Sequence, residues 1–189
     1  MAKKIAIAKG RSRVVVHPPK KRRDRYPFVG CIELPGLPRI HVENRKGTMR
    51  RGVDPDGHPW ETCMPAHYGE FTGTRGADGD PIDVFVGENA HAAHVYVASV
   101  ADVETGKYDE CKVFVGFNRL ADVAAAFGKA YDRRGMRHGR FRKLTVLEFC
   151  GWLDQYKKDA RRIDVGAEMH KSLAWETLSE TVKSMEAQC

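Results

Sequence analysis

The run Asp78-Gly79-Asp80-Pro81-Ile82-Asp83-Val84 places three carboxylates within six residues. Glycine admits the positive φ of a tight turn, proline fixes φ, and Ile82 to Val86 then alternates as a strand does. The acids therefore sit where a turn enters a strand, with Asp83 facing away from Ile82 and Val84. Like charges held this close repel one another, and each favours protonation unless a cation neutralises them. With no histidine or cysteine in the run, the oxygen donors favour a hard ion, Mg²⁺ or Mn²⁺, over zinc. The same residue types also make ordinary turns, and Asp-Gly before a β-branched run is a hairpin signal. By itself the run leaves a structural role open.

Three further groups widen the picture. Tyr68-Gly69 stands ten residues before Asp78, preceded by Pro65-Ala66-His67, and Glu43 ends a strand-like Ile40-His41-Val42-Glu43. Downstream, Asp109-Glu110-Cys111-Lys112 puts two acids and an ammonium at the start of another strand. At these residues the chain resembles the soluble Mg²⁺-dependent inorganic pyrophosphatases. Their signature reads Asp-Gly-Asp-Pro-apolar-Asp-Val after Pro-x-x-Tyr-Gly, followed one hairpin later by acid-x-Lys. The stretch from Trp60 to Gly87 looks closest to the pyrophosphatase-like domain of phage and mobile-element polyvalent proteins, and the resemblance covers about residues 38 to 157.

The resemblance implies hydrolysis of pyrophosphate to two phosphates by a metal-activated water. Such a reaction asks the protein for charge screening, alignment and a proton acceptor more than for covalent chemistry. The implied metal ligands are Asp78, Asp83 and Glu110, with Asp109 competing for the last place and Glu43 as an outer acid. Asp80 would take the proton of the attacking water, while Tyr68 and Lys112 would bind phosphate. Two cations of the family pattern are missing: Gly52 and Asp56 stand where it has a lysine and an arginine. Arg50, Arg51 and Arg45 are the nearest replacements, and Tyr156-Lys157 is a loosely anchored match to the family's late Tyr-Lys pair. These departures keep a second reading alive, a weak or inactive accessory protein of the same fold.

The elements that must hold these groups follow from pattern. Alternating runs at 40–43, 82–86, 94–100 and 112–117, with Gly- and Asn-containing turns between them, predict at least five short strands. Arg50-Arg51-Gly52 falls on a strand returning from the Ile40 run. The expected fold class is α+β, a small curled antiparallel β-barrel of OB-like type with flanking helices. Helices are expected from about residue 118. The first is capped by Asn118 and carries a stripe of Leu120, Val123, Ala124, Phe127 and Tyr131. The second opens on the capping box Thr145-Val146-Leu147-Glu148 and buries Phe149, Leu153 and Tyr156. A last helix from about Ala167 carries Trp175, Leu178, Val182 and Met185.

The chain's 189 residues suffice for one domain. The reading is a basic arm and linker over 1–37, then one domain over 38–189, with the barrel at about 38–117 and helices at about 118–188. The net charge of +7 is concentrated at the start: residues 1–26 hold ten Lys or Arg and one acid, leaving −2 for the rest. This arm suits a nucleic acid or an acidic partner, or serves only as a solubilising tail. Five scattered cysteines without a CxxC point to reduced thiols. With no membrane span or signal-type segment, the location expected is cytoplasmic, or virion-associated for a phage protein. The oligomeric state is open, a homo-oligomer included.

Overall fold

The computed structural model describes residues 14, 16, 29–54, 57–76, 79–101, 108–131 and 137–158; side chains of 108–109, 137–140 and 155–158 lie outside the description. The elements are β1 (Gly30–Ile32), β2 (Ile40–Asn44), β3 (Met49–Val53), β4 (Pro59–Cys63), β5 (His67–Phe71), β6 (Asp83–Val86), β7 (His94–Ala101), β8 (Tyr108–Val115), α1 (Leu120–Tyr131), β9 (Arg137–Thr145) and α2 (Val146–Lys158).

Seven strands form one sheet in the order β1-β2-β5-β6-β8-β7-β9, and β3 pairs only with β4. The α+β class holds, but the sheet is open: its edges, β1 and β9, do not meet. Nor is it wholly antiparallel, since β6 and β8 run parallel. The reason lies in the central strands, which are apolar on both faces. Val84 and Val86 join one buried cluster and Phe85 the other; Val95 and Val97 oppose Tyr96, Ala98 and Val100. Such a sheet needs a cover on each side instead of a closed interior. Helix α2 supplies one with Phe149 and Leu153, and α1 the other with Val123, Ala126, Phe127, Ala130 and Tyr131. Each fully buried phenylalanine, such as Phe71, Phe85 or Phe114, contributes about 1.5–3 kcal/mol by leaving water.

Several local expectations meet their outcome here. The 94–100 and 112–117 runs pair antiparallel as β7 and β8. The capping box forms: the Thr145 hydroxyl accepts from the Glu148 amide at 3.2 Å, and the Thr145 amide donates to the Glu148 carboxylate at 2.7 Å. Arg50-Arg51-Gly52 does not return along β2; it pairs with β4, and β2 lies between β1 and β5. Asn118 does not cap α1. Its side-chain oxygen accepts from Asn89 at 2.6 Å, and Arg119 takes the capping place, clasping Asp122 through two nitrogens. The segment read as a connector contains β1, and Leu34 beside it is buried. Strand β9 was not expected. Among its described side chains the buried ones, Phe141 and Leu144, are three apart and so face opposite clusters, which erases the period-two signal.

Within the first 26 residues the description covers Val14 and Val16. Both pack against the α2-side cluster, and the Val14 amide faces the Glu88 carbonyl at 3.4 Å. The rest of the basic arm, and the helix expected from Ala167, lie outside the described residues. No described helix is long and apolar enough to cross a membrane.

Candidate active site

The parallel pairing of β6 with β8 builds the site. It sets Asp83 directly beside Lys112, and the antiparallel pairing of β5 with β6 sets Glu70 on Asp83's other side. Register partners share a face, so His41, Glu70, Asp83 and Lys112 form a row across the α1 side of the sheet. Glu110, two residues before Lys112, points the same way. Glu43, two residues after His41, shares this face by alternation and sits at a β-bulge, where the register slips between Val42 and Asn44 opposite Tyr68.

Side chains then converge. The Lys112 ammonium, buried, bonds the Asp83 carboxylate and stands 2.5 Å from Glu110 Oε2. The Tyr68 hydroxyl donates to the same Asp83 oxygen at 2.7 Å. Burial works against the Lys112 charge, but Tyr131, Asp83 and Glu110 together outweigh it and hold the ammonium above its ordinary pKa. Tyr131 lies 6.0 Å from this ammonium, measured to the ring centre. Burial first, then Asp83, raise the Tyr131 phenol, with Lys112 pulling the other way, and it stays neutral at physiological pH. Tyr68 is pushed well up by burial above all, so it too remains a donor. From the hairpin, Arg50 lays its guanidinium 4.4 Å from the Tyr68 ring centre. Beneath the polar layer, Tyr68, Phe85 and Phe114 form an aromatic floor, with Phe85 and Phe114 stacked at 4.8 Å.

A family model for inorganic pyrophosphatase matches residues 19–154. The chain belongs to the inorganic pyrophosphatase family. Comparison with curated proteins finds none that matches. The family match speaks to the family and not to a branch of it.

Against the pyrophosphatase expectation, the structure brings Glu43, Arg50, Tyr68, Asp83, Glu110 and Lys112 together. Asp80 sits exposed at the end of the acidic turn. That turn is held by Thr74, whose hydroxyl accepts from the Ile82 amide and donates to the Phe71 carbonyl, and by the Gly76 amide on the Asp80 carbonyl. Arg51 points outward and pairs with Glu61 at 3.1 Å. Asp78 lies outside the described residues, as do the side chains of Asp109, Tyr156 and Lys157. Helix α2, which carries Tyr156 and Lys157, packs its buried residues on the opposite face of the sheet.

Two participants escaped sequence reasoning. Tyr131 fits the helical stripe of α1, and no sequence signal separates a core tyrosine from one that also looks onto a buried ammonium. Arg75 bonds the Gly79 carbonyl through Nε at 3.0 Å and braces the turn; its place three residues before Asp78 was the available cue. The Tyr-Gly pair also gains a reason, because a Cβ on Gly69 would stand 1.8 Å from the His41 carbonyl oxygen.

The donor chemistry suits a hard divalent ion. Asp83, Glu110 and Glu43 carry part-buried carboxylates on one face, and Asp83 and Glu110 already converge on a cation, the Lys112 ammonium. Among the described residues no three His, Cys, Asp or Glu cluster tightly enough to hold a metal ion.

Burial first, then the Asp83 charge, raise the Glu43 carboxyl, while Arg50 and Lys112 pull it down. The fold thus disfavours ionised Glu43. This cost appears as pH climbs from the unfolded value, about 4.3, through the raised folded one. Glu43→Gln should therefore stabilise the metal-free protein at neutral pH by at most about 1 kcal/mol, and make no difference below about pH 3. Urea unfolding at both pH values checks this.

Proposed function

We propose that the protein is a Mg²⁺-dependent inorganic pyrophosphatase that hydrolyses pyrophosphate to two phosphates. The observation that carries this reading is the convergence of Asp83, Glu110, Lys112, Tyr68 and Arg50 on one face, in a chain of the pyrophosphatase family. Asp83, Glu110 and Glu43, with Asp78, would hold the ions, and Mn²⁺ suits the same oxygens; Asp109 is the alternative on β8. When bound, Mg²⁺ supplies charge neutralisation on the pyrophosphate and a lowered pKa for water.

The residues do the remainder. Lys112, kept charged by its carboxylates, and Arg50 neutralise phosphate oxygens, and Tyr68 donates a hydrogen bond as the leaving phosphate gains charge. Asp80, exposed at the turn, accepts the proton of the attacking water. The compartment we favour is the cytoplasm, in keeping with four described cysteines that are all free thiols.

Stoichiometry tests the reading. In Mg²⁺ each pyrophosphate consumed should yield two phosphates, and a nucleoside triphosphate under the same conditions should yield almost none. Comparable release from the nucleotide would move the substrate class.

A further inference from the structure

The β3–β4 hairpin shares no strand ladder with the seven-stranded sheet. Beyond its short chain links to β2 and β5, side chains set where its residues sit over the site. Its less exposed face carries Arg50 and Gly52 from β3, with Trp60 paired opposite Gly52. Gly52 is what lets the indole come so close: a Cβ there would stand 2.3 Å from Trp60 Cζ2. The Arg50 guanidinium lies between two rings, 5.6 Å from the Trp60 centroid and 4.4 Å from that of Tyr68. Among the described residues this guanidinium makes no hydrogen bond or ion pair, although Glu43 and Asp83 are near enough to favour its charge.

Ring faces hold a cation without consuming its N–H groups, whereas a carboxylate would take them two at a time. We propose that Trp60 is a positioning residue: seated on Gly52, its indole holds Arg50 against Tyr68 and leaves the guanidinium donors for substrate phosphate. The proposal rests on the pyrophosphatase reading above. Trp60 touches no reacting atom in this arrangement. It acts by removing, before substrate arrives, the freedom a long arginine would otherwise lose on binding.

A double-mutant cycle tests it, read as KM and kcat for pyrophosphate in Mg²⁺ and as the calorimetric Kd for inorganic phosphate. Trp60→Ala should raise KM and Kd about tenfold with kcat nearly unchanged, because binding and not the chemical step is weakened. In an Arg50→Ala background the same change should add less than about twofold, since its target is gone. Gly52→Ala, which drives a methyl into the indole, should reproduce the loss, and Trp60→Phe should recover part of it. Losses that add in the double variant, or a Gly52→Ala protein with unchanged KM and Kd, would overturn the role of Trp60 while leaving the function intact. Absence of Mg²⁺-dependent phosphate release from the unaltered protein would overturn the function, and this inference with it.

Discussion

Asp80→Asn should lower phosphate release from pyrophosphate by about 10²- to 10⁴-fold, the usual cost of losing a general base. The amide keeps the size of the side chain and loses the basic lone pair that would take the water's proton. Folding should be little changed, because asparagine matches aspartate in size and keeps an oxygen acceptor. The Asp80 backbone carbonyl accepts from the Gly76 amide, while Thr74 anchors the turn at Phe71 and Ile82. All of these survive the substitution. The melting temperature and its response to Mg²⁺ should therefore match those of the parent. Near-parental turnover would move the base elsewhere, and a lowered melting temperature would mean that the side chain helps to build the turn.

Asp83→Ala should do the opposite and damage the fold as well as the chemistry. Asp83 is the shared acceptor for the Lys112 ammonium and the Tyr68 hydroxyl. Its loss leaves a buried ammonium with Glu110 alone and a buried phenol without this acceptor. Removing one partner of a buried pair costs about 3–5 kcal/mol; Glu110 remains, so about 3 kcal/mol is expected, or about 10 °C in Tm for a chain of this size. The deficit should hold steady from neutral to mildly alkaline pH. Lys112 has a folded pKa above its ordinary value; its stabilisation is complete below the unfolded pKa of about 10.4 and fades only as pH rises through the folded one. Mg²⁺ should stabilise the parent by about 2.7 kcal/mol at a hundredfold excess over Kd and leave Asp83→Ala unmoved. A variant that keeps both its Tm and its Mg²⁺ response would remove Asp83 from the ion site.

The candidate site residues stand out in the sequence because they are local. Asp78 to Asp83 and Glu110-x-Lys112 are short runs, and strand alternation sets the facing of Asp83, Glu110 and Lys112. The contact between them was not legible. It depends on β8 inserting beside β6 in parallel, a pairing between segments 29 residues apart at the Asp83–Lys112 contact, and neither strand's own sequence encodes its neighbour. The barrel expectation failed on the same ground, since alternation announces strands but not whether their sheet closes. Val84-Phe85-Val86 held the better clue: apolar side chains on both faces call for two covers. Arg50 and Arg51 were equal candidates in sequence. The hairpin register separates them, turning Arg50 toward Tyr68 and Arg51 toward Glu61.

Phosphate release from pyrophosphate by the full chain, followed with Mg²⁺ present and then with a chelator in excess, tests the central claim most directly. The account predicts steady release that stops on chelation and resumes when Mg²⁺ is restored, because the carboxylates on the sheet face work only with the ion they are built to hold. Release that continues unchanged in the chelator, or none at all in saturating Mg²⁺, would contradict it.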